Sequence, residues 1–175
     1  NDDHGESGMN ALRALMESKT AESLIATLQE GNVSLRVAAA WTLGELHDLQ
    51  AVDPLIAALR RDTKSSVRAA AAWALGKMED PRAANQLIVA LRDTDHDVRQ
   101  EAATALGQLG DLQAVEPLIA VLRRDTDHDV RLAAALVLSR LGDRRAIAAL
   151  RDVDVRIREN LKKQEDFPLW SWDWQ

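Results

Sequence analysis

The chain contains no cysteine, and aromatic residues make up only 3% of its 175 residues. Without cysteine there is no disulfide, no thiolate metal site and no cysteine nucleophile, and the absence fits a reducing or an oxidising compartment equally. Hydrophobic residues still reach 46%, so alanine and leucine must supply most of the apolar surface. The chain is therefore long enough for one ordered domain with a continuous core.

An excess of positive charge and long apolar runs are also missing. The formal net charge of −6 argues against a nucleic-acid partner, because binding to phosphates depends on a basic face. No stretch approaches the roughly 18 apolar residues that span a bilayer, and none resembles a signal peptide. We expect a soluble protein with no membrane partner. The chain begins at Asn1 rather than Met, which suggests a processed product or an excised fragment and leaves the localisation open.

A repeat of about 31 residues dominates the sequence. Four leucines lie in matching hexapeptides and are separated by 31, 32 and 31 residues: Leu24, Leu55, Leu87 and Leu118. A second motif follows each hexapeptide in the same register, at residues 35–46, 67–78, 98–109 and 130–141. Apolar residues at i, i+3, i+4 and i+7 predict a helix for the first motif, and the second motif supplies another. Each unit is thus predicted to be a helix pair.

A single helix pair cannot close a core, so each pair must stack on the next, and the ends need atypical caps. Pro54 and Pro117 are placed for the first turn of a helix, and Gly110 and Gly142 for left-handed helix stops. The predicted organisation is a leader and capping helix (1–19), four repeats (20–50, 51–81, 82–112 and 113–143), a shortened capping repeat (144–164) and a tail (165–175).

An acidic residue stands six positions before an arginine in every repeat. Asp62 precedes Arg68, Asp93 precedes Arg99, Asp125 precedes Arg131, and Glu30 precedes Arg36. With this pattern, residues 20–163 resemble the HEAT-repeat family, in particular its short bacterial phycobilisome-lyase type and the engineered repeat proteins derived from it. The resemblance implies an all-α, right-handed solenoid of stacked antiparallel helix pairs. Because the charged pair recurs in every unit, we interpret it as hydrogen bonding between turns of adjacent units, not as catalysis.

Two histidines offer the main alternative function. His96 and His128 lie between carboxylates in two copies of TDHDVR, a residue set found at metal sites. The other interpretation is that Asp95 and Asp127 cap the second helix of their units. A HEAT-like enzyme or cofactor-binding protein, metal-dependent or tetrapyrrole-related, remains the alternative. However, the His-Glu dipeptides that hold iron in the similar deoxyhypusine hydroxylases are absent. We expect no enzymatic activity, no cofactor and no metal.

The second helices are expected to line the concave side, as the resemblance implies, and the residues between their core positions would face a groove. Trp41 and Trp73 occupy the same repeat position, so they should stand side by side in the groove, although both could instead pack into the core. The predicted groove residues, unit by unit, are Val37, Ala38, Trp41 and Glu45; Ala69, Ala70, Trp73 and Lys77; Gln100, Glu101, Thr104 and Gln108; and Leu132, Ala133, Leu136 and Arg140. Such a groove suits a protein or peptide segment.

The C-terminal tail differs sharply from the repeats. Trp170, Trp172 and Trp174 alternate at every second residue after Phe167 and Pro168, which predicts an extended segment with the tryptophans on one side. Three interpretations stay open: the tail completes the C-terminal cap, it enters the groove of its own or a neighbouring copy, or it binds a separate protein. We therefore expect either a monomer or a tail-mediated oligomer.

Overall fold

The computed structural model describes residues 21–151 of the chain. The predicted leader and capping helix at 1–19, most of the shortened capping repeat and the whole tail at 165–175 lie outside the described residues.

The described residues form nine α-helices joined by short turns, with no strand among them. The helices pair along the chain as α1 (Ala21–Glu30) with α2 (Val33–Leu46), α3 (Val52–Arg61) with α4 (Ser65–Met78), α5 (Ala84–Ala90) with α6 (His96–Leu109), and α7 (Val115–Arg124) with α8 (His128–Leu141), followed by α9 (Arg144–Arg151). Short 3-10 helices at Leu49–Ala51, Pro81–Ala83 and Leu112–Ala114 lead from one pair into the next. The predicted all-α solenoid of stacked helix pairs is confirmed.

Leucines at matching repeat positions form the centre of the core. Each first helix contributes one leucine that is at most 1% exposed, and each second helix contributes one that is fully buried. These residues are Leu24, Leu55, Leu87 and Leu118 from the first helices, and Leu43, Leu75, Leu106 and Leu138 from the second helices. The same apolar contact therefore recurs from unit to unit, which makes the core continuous along the stack.

The second helices pack much more closely against one another than the first helices do. Helices α2, α4, α6 and α8 contact each other in succession over much of their length, whereas consecutive first helices touch at few points. Glycine permits this approach, since a Cβ atom on Gly44 would lie 2.8 Å from the Cα of Ala74. The layer with the closer spacing lies on the inner side of a curved stack, so the second helices line the concave face.

The ends of the second helices follow the predicted cap chemistry. The carboxylate of Asp95 accepts a hydrogen bond from the N–H of Asp97, and that of Asp127 accepts from the N–H groups of Asp129 and Val130. These interactions satisfy free N–H groups at the starts of α6 and α8 and confirm the capping interpretation. At the other ends of these two helices, Gly110 and Gly142 adopt left-handed conformations with φ of 66° and 64°, as predicted.

A chain of arginine–aspartate bridges joins the turns of adjacent units. Arg68 donates through Nε and Nη2 to the carboxylate of Asp93, at 2.8 and 2.7 Å, and through Nη1 to the backbone carbonyl of Asp62, at 2.9 Å. The same two-pronged pairing joins Arg36 to Asp62 and Arg99 to Asp125. One guanidinium therefore fixes its own turn to the turn of the next unit. The predicted hydrogen bonding between adjacent units is confirmed.

Two of the bridges favour the ionised form of their carboxylates, those of Asp62 and Asp93. Burial acts most strongly on Asp93 and alone would raise its pKa, but hydrogen bonds from Arg68 and from the N–H of Asp95 outweigh it, so the pKa is lowered. Burial alone would also raise the pKa of Asp62. Hydrogen bonds from Arg36 and from the N–H of Lys64 outweigh this effect, so the pKa of Asp62 is lowered as well. Because the folded pKa values of Asp62 and Asp93 are depressed, their two bridges stabilise the fold above the unfolded pKa, and this stabilisation is lost as the pH falls through the folded pKa.

Replacing Arg68 with alanine should remove the hydrogen bonds of one bridge, both those to the carboxylate of Asp93 and the one to the carbonyl of Asp62. The change leaves the carboxylate of Asp93, whose side chain is only 15% exposed, without its charged partner. We expect the free energy of unfolding at pH 7 to fall by about 3 kcal/mol, measured by urea denaturation. Arg68→Lys should recover little of the loss, since an ammonium group cannot reproduce the planar fork.

The matched control for Arg68→Ala is Arg60→Ala, at an exposed position in the last turn of α3. It should change the stability by no more than about 0.5 kcal/mol. Equal losses for the two variants would show that the bridges do not hold the units together.

Candidate functional site

The two repeat-matched tryptophans lie on the concave face of neighbouring second helices. Trp41 projects from α2 and its side chain is 54% exposed, which makes it one of the most exposed large hydrophobic residues described. Trp73 projects from α4, is half-buried and packs against the core, with its ring beside Gly44 of α2. Trp41 therefore has the exposed position that the groove interpretation predicts. Trp73 partly follows the other interpretation, in which the tryptophans pack into the core.

Among residues 21–151, the concave face carries a larger and a smaller depression. The larger, of about 500 Å3, is lined by Trp41, Glu45, Ser66, Ala69, Ala70, Trp73 and Glu101, and we call it the tryptophan pocket. The smaller, of about 270 Å3, is lined by Gln100, Thr104, Gln108, Asp129, Leu132, Ala133, Leu136, Val137 and Arg140. Most residues predicted for the groove thus line one of two neighbouring depressions on the same face.

Three residues predicted to face the groove are largely buried in the core. Ala38, Ala70 and Ala133 are only 6%, 3% and 8% exposed, so their side chains belong to the core and offer little to a ligand, although Ala70 and Ala133 touch the depressions from below. Each lies one residue after a predicted groove position, which turns it about 100° around the helix, into the contact with the next second helix. Val37 is half-buried and packs against the core in the same way.

A charged contact spans the rim of the tryptophan pocket. The Nζ atom of Lys77 on α4 lies 3.7 Å from a carboxylate oxygen of Glu45 on α2, and 5.7 Å from the centroid of the Trp73 ring. Both distances fall within the range of favourable interaction for an ammonium group. Trp73 is thus already a cation–π partner within the protein itself.

Glu101 is the unusual residue of the tryptophan pocket. It lies on α6 and is half-buried beside the two tryptophans. Burial raises the pKa of its carboxyl group, and the negative charge of Asp97 one turn earlier raises it further. The sequence placed Glu101 on the groove side, but nothing in the sequence showed that its carboxylate would be half-buried against tryptophan.

The two histidines considered as metal ligands lie at the starts of second helices. His96 and His128 each follow a capping aspartate at the first position of a second helix, and the His96 side chain is 59% exposed. Between residues 21 and 151, no group of three or more histidine, aspartate or glutamate side chains is arranged to hold a metal ion.

None of the helices described between residues 21 and 151 combines the length and the apolar character needed to cross a bilayer.

The sequence matches a family model of HEAT repeats twice, over residues 21–89 and 85–154. These matches cover most of the chain, and the chain belongs to the HEAT-repeat family. The family defines a solenoid of helix pairs, in agreement with the fold described above. No curated protein sequence matches the chain at a significant level.

Two solved structures show the same arrangement of helices. One is the complex of CpcE and CpcF of phycocyanin lyase from Nostoc sp. PCC7120, with 27% identity and a TM-score of 0.58, covering 81% of this chain and 74% of the other. The second is human deoxyhypusine hydroxylase in complex with glycerol, with 21% identity and a TM-score of 0.53, covering 79% of this chain and 70% of the other. At 21% identity, the likeness to the hydroxylase shows the fold alone.

Changing Glu101 to glutamine should stabilise the protein at pH 7. The folded pKa of Glu101 is raised, so its ionised form costs stability; the cost is full above the folded pKa and disappears as the pH falls from the folded to the unfolded pKa. We therefore expect Glu101→Gln to raise the free energy of unfolding at pH 7 and to have no effect at pH 3, measured by urea denaturation at both values.

Glu22→Gln is the control for this prediction, because Glu22 is an exposed carboxylate on α1. It should not raise the stability at either pH value, and at pH 7 it should lower it by no more than about 1 kcal/mol, because Glu22 lies in the first turn of α1. A loss of stability at pH 7 in Glu101→Gln would mean that the carboxylate has a favourable partner in the folded chain.

Proposed function

We propose that the chain is a non-catalytic module that binds a protein or peptide segment along the concave face of its second helices. The observation that carries the proposal is the exposed ring of Trp41, which lies beside the half-buried Trp73 over a depression of about 500 Å3. A large aromatic side chain held at the mouth of a pocket by rigid helices is typical of a binding hot spot.

Trp41 exposes a large apolar surface to water. About half of the Trp41 side chain remains in contact with solvent, although the helix that carries it is otherwise well packed. Covering that surface with a ligand recovers hydrophobic free energy at a modest cost in conformational entropy, because the helix backbone is already ordered and a tryptophan side chain has few rotatable bonds. The pocket is thus preorganised for an apolar or amphipathic group.

The dimensions of the face favour an extended segment. Four second helices at a spacing of roughly 10 Å make a surface about 30 Å long from α2 to α8. An extended peptide rises about 3.3 Å per residue, so roughly nine residues would cross it. The tryptophan pocket lies at one end, Gln100 and Thr104 lie between, and Leu132 and Leu136 line the depression at the other. Such a ligand would carry side chains for two separate depressions.

The comparison with the phycocyanin lyase supports a protein partner. That structure is a complex of two different proteins, CpcE and CpcF, and its likeness to this chain is the higher of the two described. The alternative occupant of the face is a second copy's tail, or the chain's own, through Phe167, Trp170, Trp172 and Trp174.

Trp41→Ala should remove most of the binding. We would select peptides from a random display library against the full chain and measure the affinity of the enriched peptides by fluorescence anisotropy. Because a central aromatic residue contributes about 2 kcal/mol or more, we expect Trp41→Ala to weaken these peptides roughly 30-fold or more. The far-UV circular dichroism and the melting temperature should stay close to those of the unchanged protein.

The control is Val89→Ala, which removes an exposed apolar side chain from the first helix α5, away from the concave face. Its affinities should match those of the unchanged protein. If the enriched peptides bind Trp41→Ala as tightly as the unchanged protein, the concave face is not the binding surface.

A further inference from the structure

Glu101 departs from the repeat at a position where the other units are uniform. The equivalent residues are Ala38, Ala70 and Ala133, which are all buried. Three units therefore use this position to pack one second helix on the next with the smallest apolar side chain. The third unit instead places a carboxylate there, which costs stability, and residues that break a local rule at such a cost are characteristic of functional sites.

The Glu101 carboxylate has no partner in the described part of the chain. Neither a hydrogen-bond donor nor a cation pairs with it between residues 21 and 151, and its raised pKa reflects burial and the neighbouring Asp97. The aspartates of the bridges differ, since Asp62, Asp93 and Asp125 each receive two hydrogen bonds from an arginine. The Glu101 carboxylate is thus a half-buried hydrogen-bond acceptor without a donor among the described residues, and it lies in the wall of a pocket that is open to solvent.

The surroundings of Glu101 favour a positive charge. Glu45 and Asp97 add two more carboxylates near the pocket, and Lys77 places an ammonium group at its rim. The Trp41 ring carries no cation from the described residues, while Lys77 shows that the neighbouring Trp73 ring accepts one. An aromatic face beside a partly desolvated carboxylate is the combination that attracts an ammonium or guanidinium group most strongly.

We propose that the tryptophan pocket binds a basic side chain of the partner peptide, preferably arginine, with the guanidinium group against Trp41 and paired with Glu101. This proposal rests on the proposed function and names what the pocket recognises. Arginine is preferred because its planar group stacks on an indole ring while donating two parallel hydrogen bonds to a carboxylate.

The charge of the tail argues against it as the occupant of this pocket. Residues 165–175 contain Glu165, Asp166 and Asp173 and no lysine or arginine. Placing this segment beside Glu45 and Glu101 would bring like charges together in a partly desolvated site, which is unfavourable.

The test compares one enriched peptide with its analogues on the full-length protein. The display selection is repeated at 150 mM salt with the unchanged chain and with Glu101→Gln, and one arginine-containing peptide is remade with citrulline, which keeps the shape of arginine without its charge. We expect the unchanged chain to enrich a basic residue at one position and to lose about tenfold in affinity with citrulline. With Glu101→Gln the enrichment should disappear, and citrulline should change the affinity less than twofold.

Glu22→Gln is the control and should behave as the unchanged chain does in both measurements. Equal affinities for the arginine and citrulline peptides, or a selection dominated by acidic, tryptophan-rich peptides like residues 165–175, would overturn the proposal. Either result would leave the proposed function standing as long as Trp41→Ala still weakens binding roughly 30-fold or more. Binding that is as tight in Trp41→Ala as in the unchanged chain would overturn both.

Discussion

The arginine bridge between successive turns is the interaction on which the rest of the solenoid depends. A helix pair with a single apolar stripe has no closed core of its own, so its stability comes from the register in which it meets the next pair. Arg68 sets this register directly, because it holds the backbone of its own turn through the carbonyl of Asp62 and the following turn through the carboxylate of Asp93. Repetition of this bridge gives every unit the same relation to its neighbour.

Close packing of the second helices follows from that fixed register and decides what the concave face can present. Alanine and glycine at the contacts let the helices approach until a Cβ atom on Gly44 would clash with the backbone of α4. The exposed stripe is consequently narrow, and side chains at one repeat position, such as Trp41 and Trp73, are brought together on neighbouring helices. The repeat is broken most clearly at Glu101, where the other three units carry a buried alanine.

The sequence was sufficient to predict the regular features of the fold. The spacing of Leu24, Leu55, Leu87 and Leu118 gave the units, and the acidic residue six positions before each arginine indicated the bridges between them. These features were predictable because they repeat, so each copy supports the interpretation of the others. The capping role of Asp95 and Asp127 was predictable for a local reason, since a carboxylate at the start of a helix satisfies free N–H groups.

The candidate site was predicted less completely, and the errors have a geometric cause. The pattern on one helix does not show how close the next helix lies, so Ala38, Ala70 and Ala133 were placed in the groove although the neighbouring helix covers them. The different burial of Trp41 and Trp73 also depends on contacts between units. The environment of Glu101 comes from residues on three second helices and was beyond any local pattern.

The central claim is that the concave face around Trp41 and Trp73 is the binding surface, and indole NMR tests it most directly. The full chain carries five tryptophans, which give separate side-chain N–H signals once they are assigned with single Trp→Phe variants. Titration with an enriched peptide should shift the Trp41 and Trp73 signals together, at one affinity. A peptide that binds while shifting only the signals of Trp170, Trp172 and Trp174 would contradict the claim.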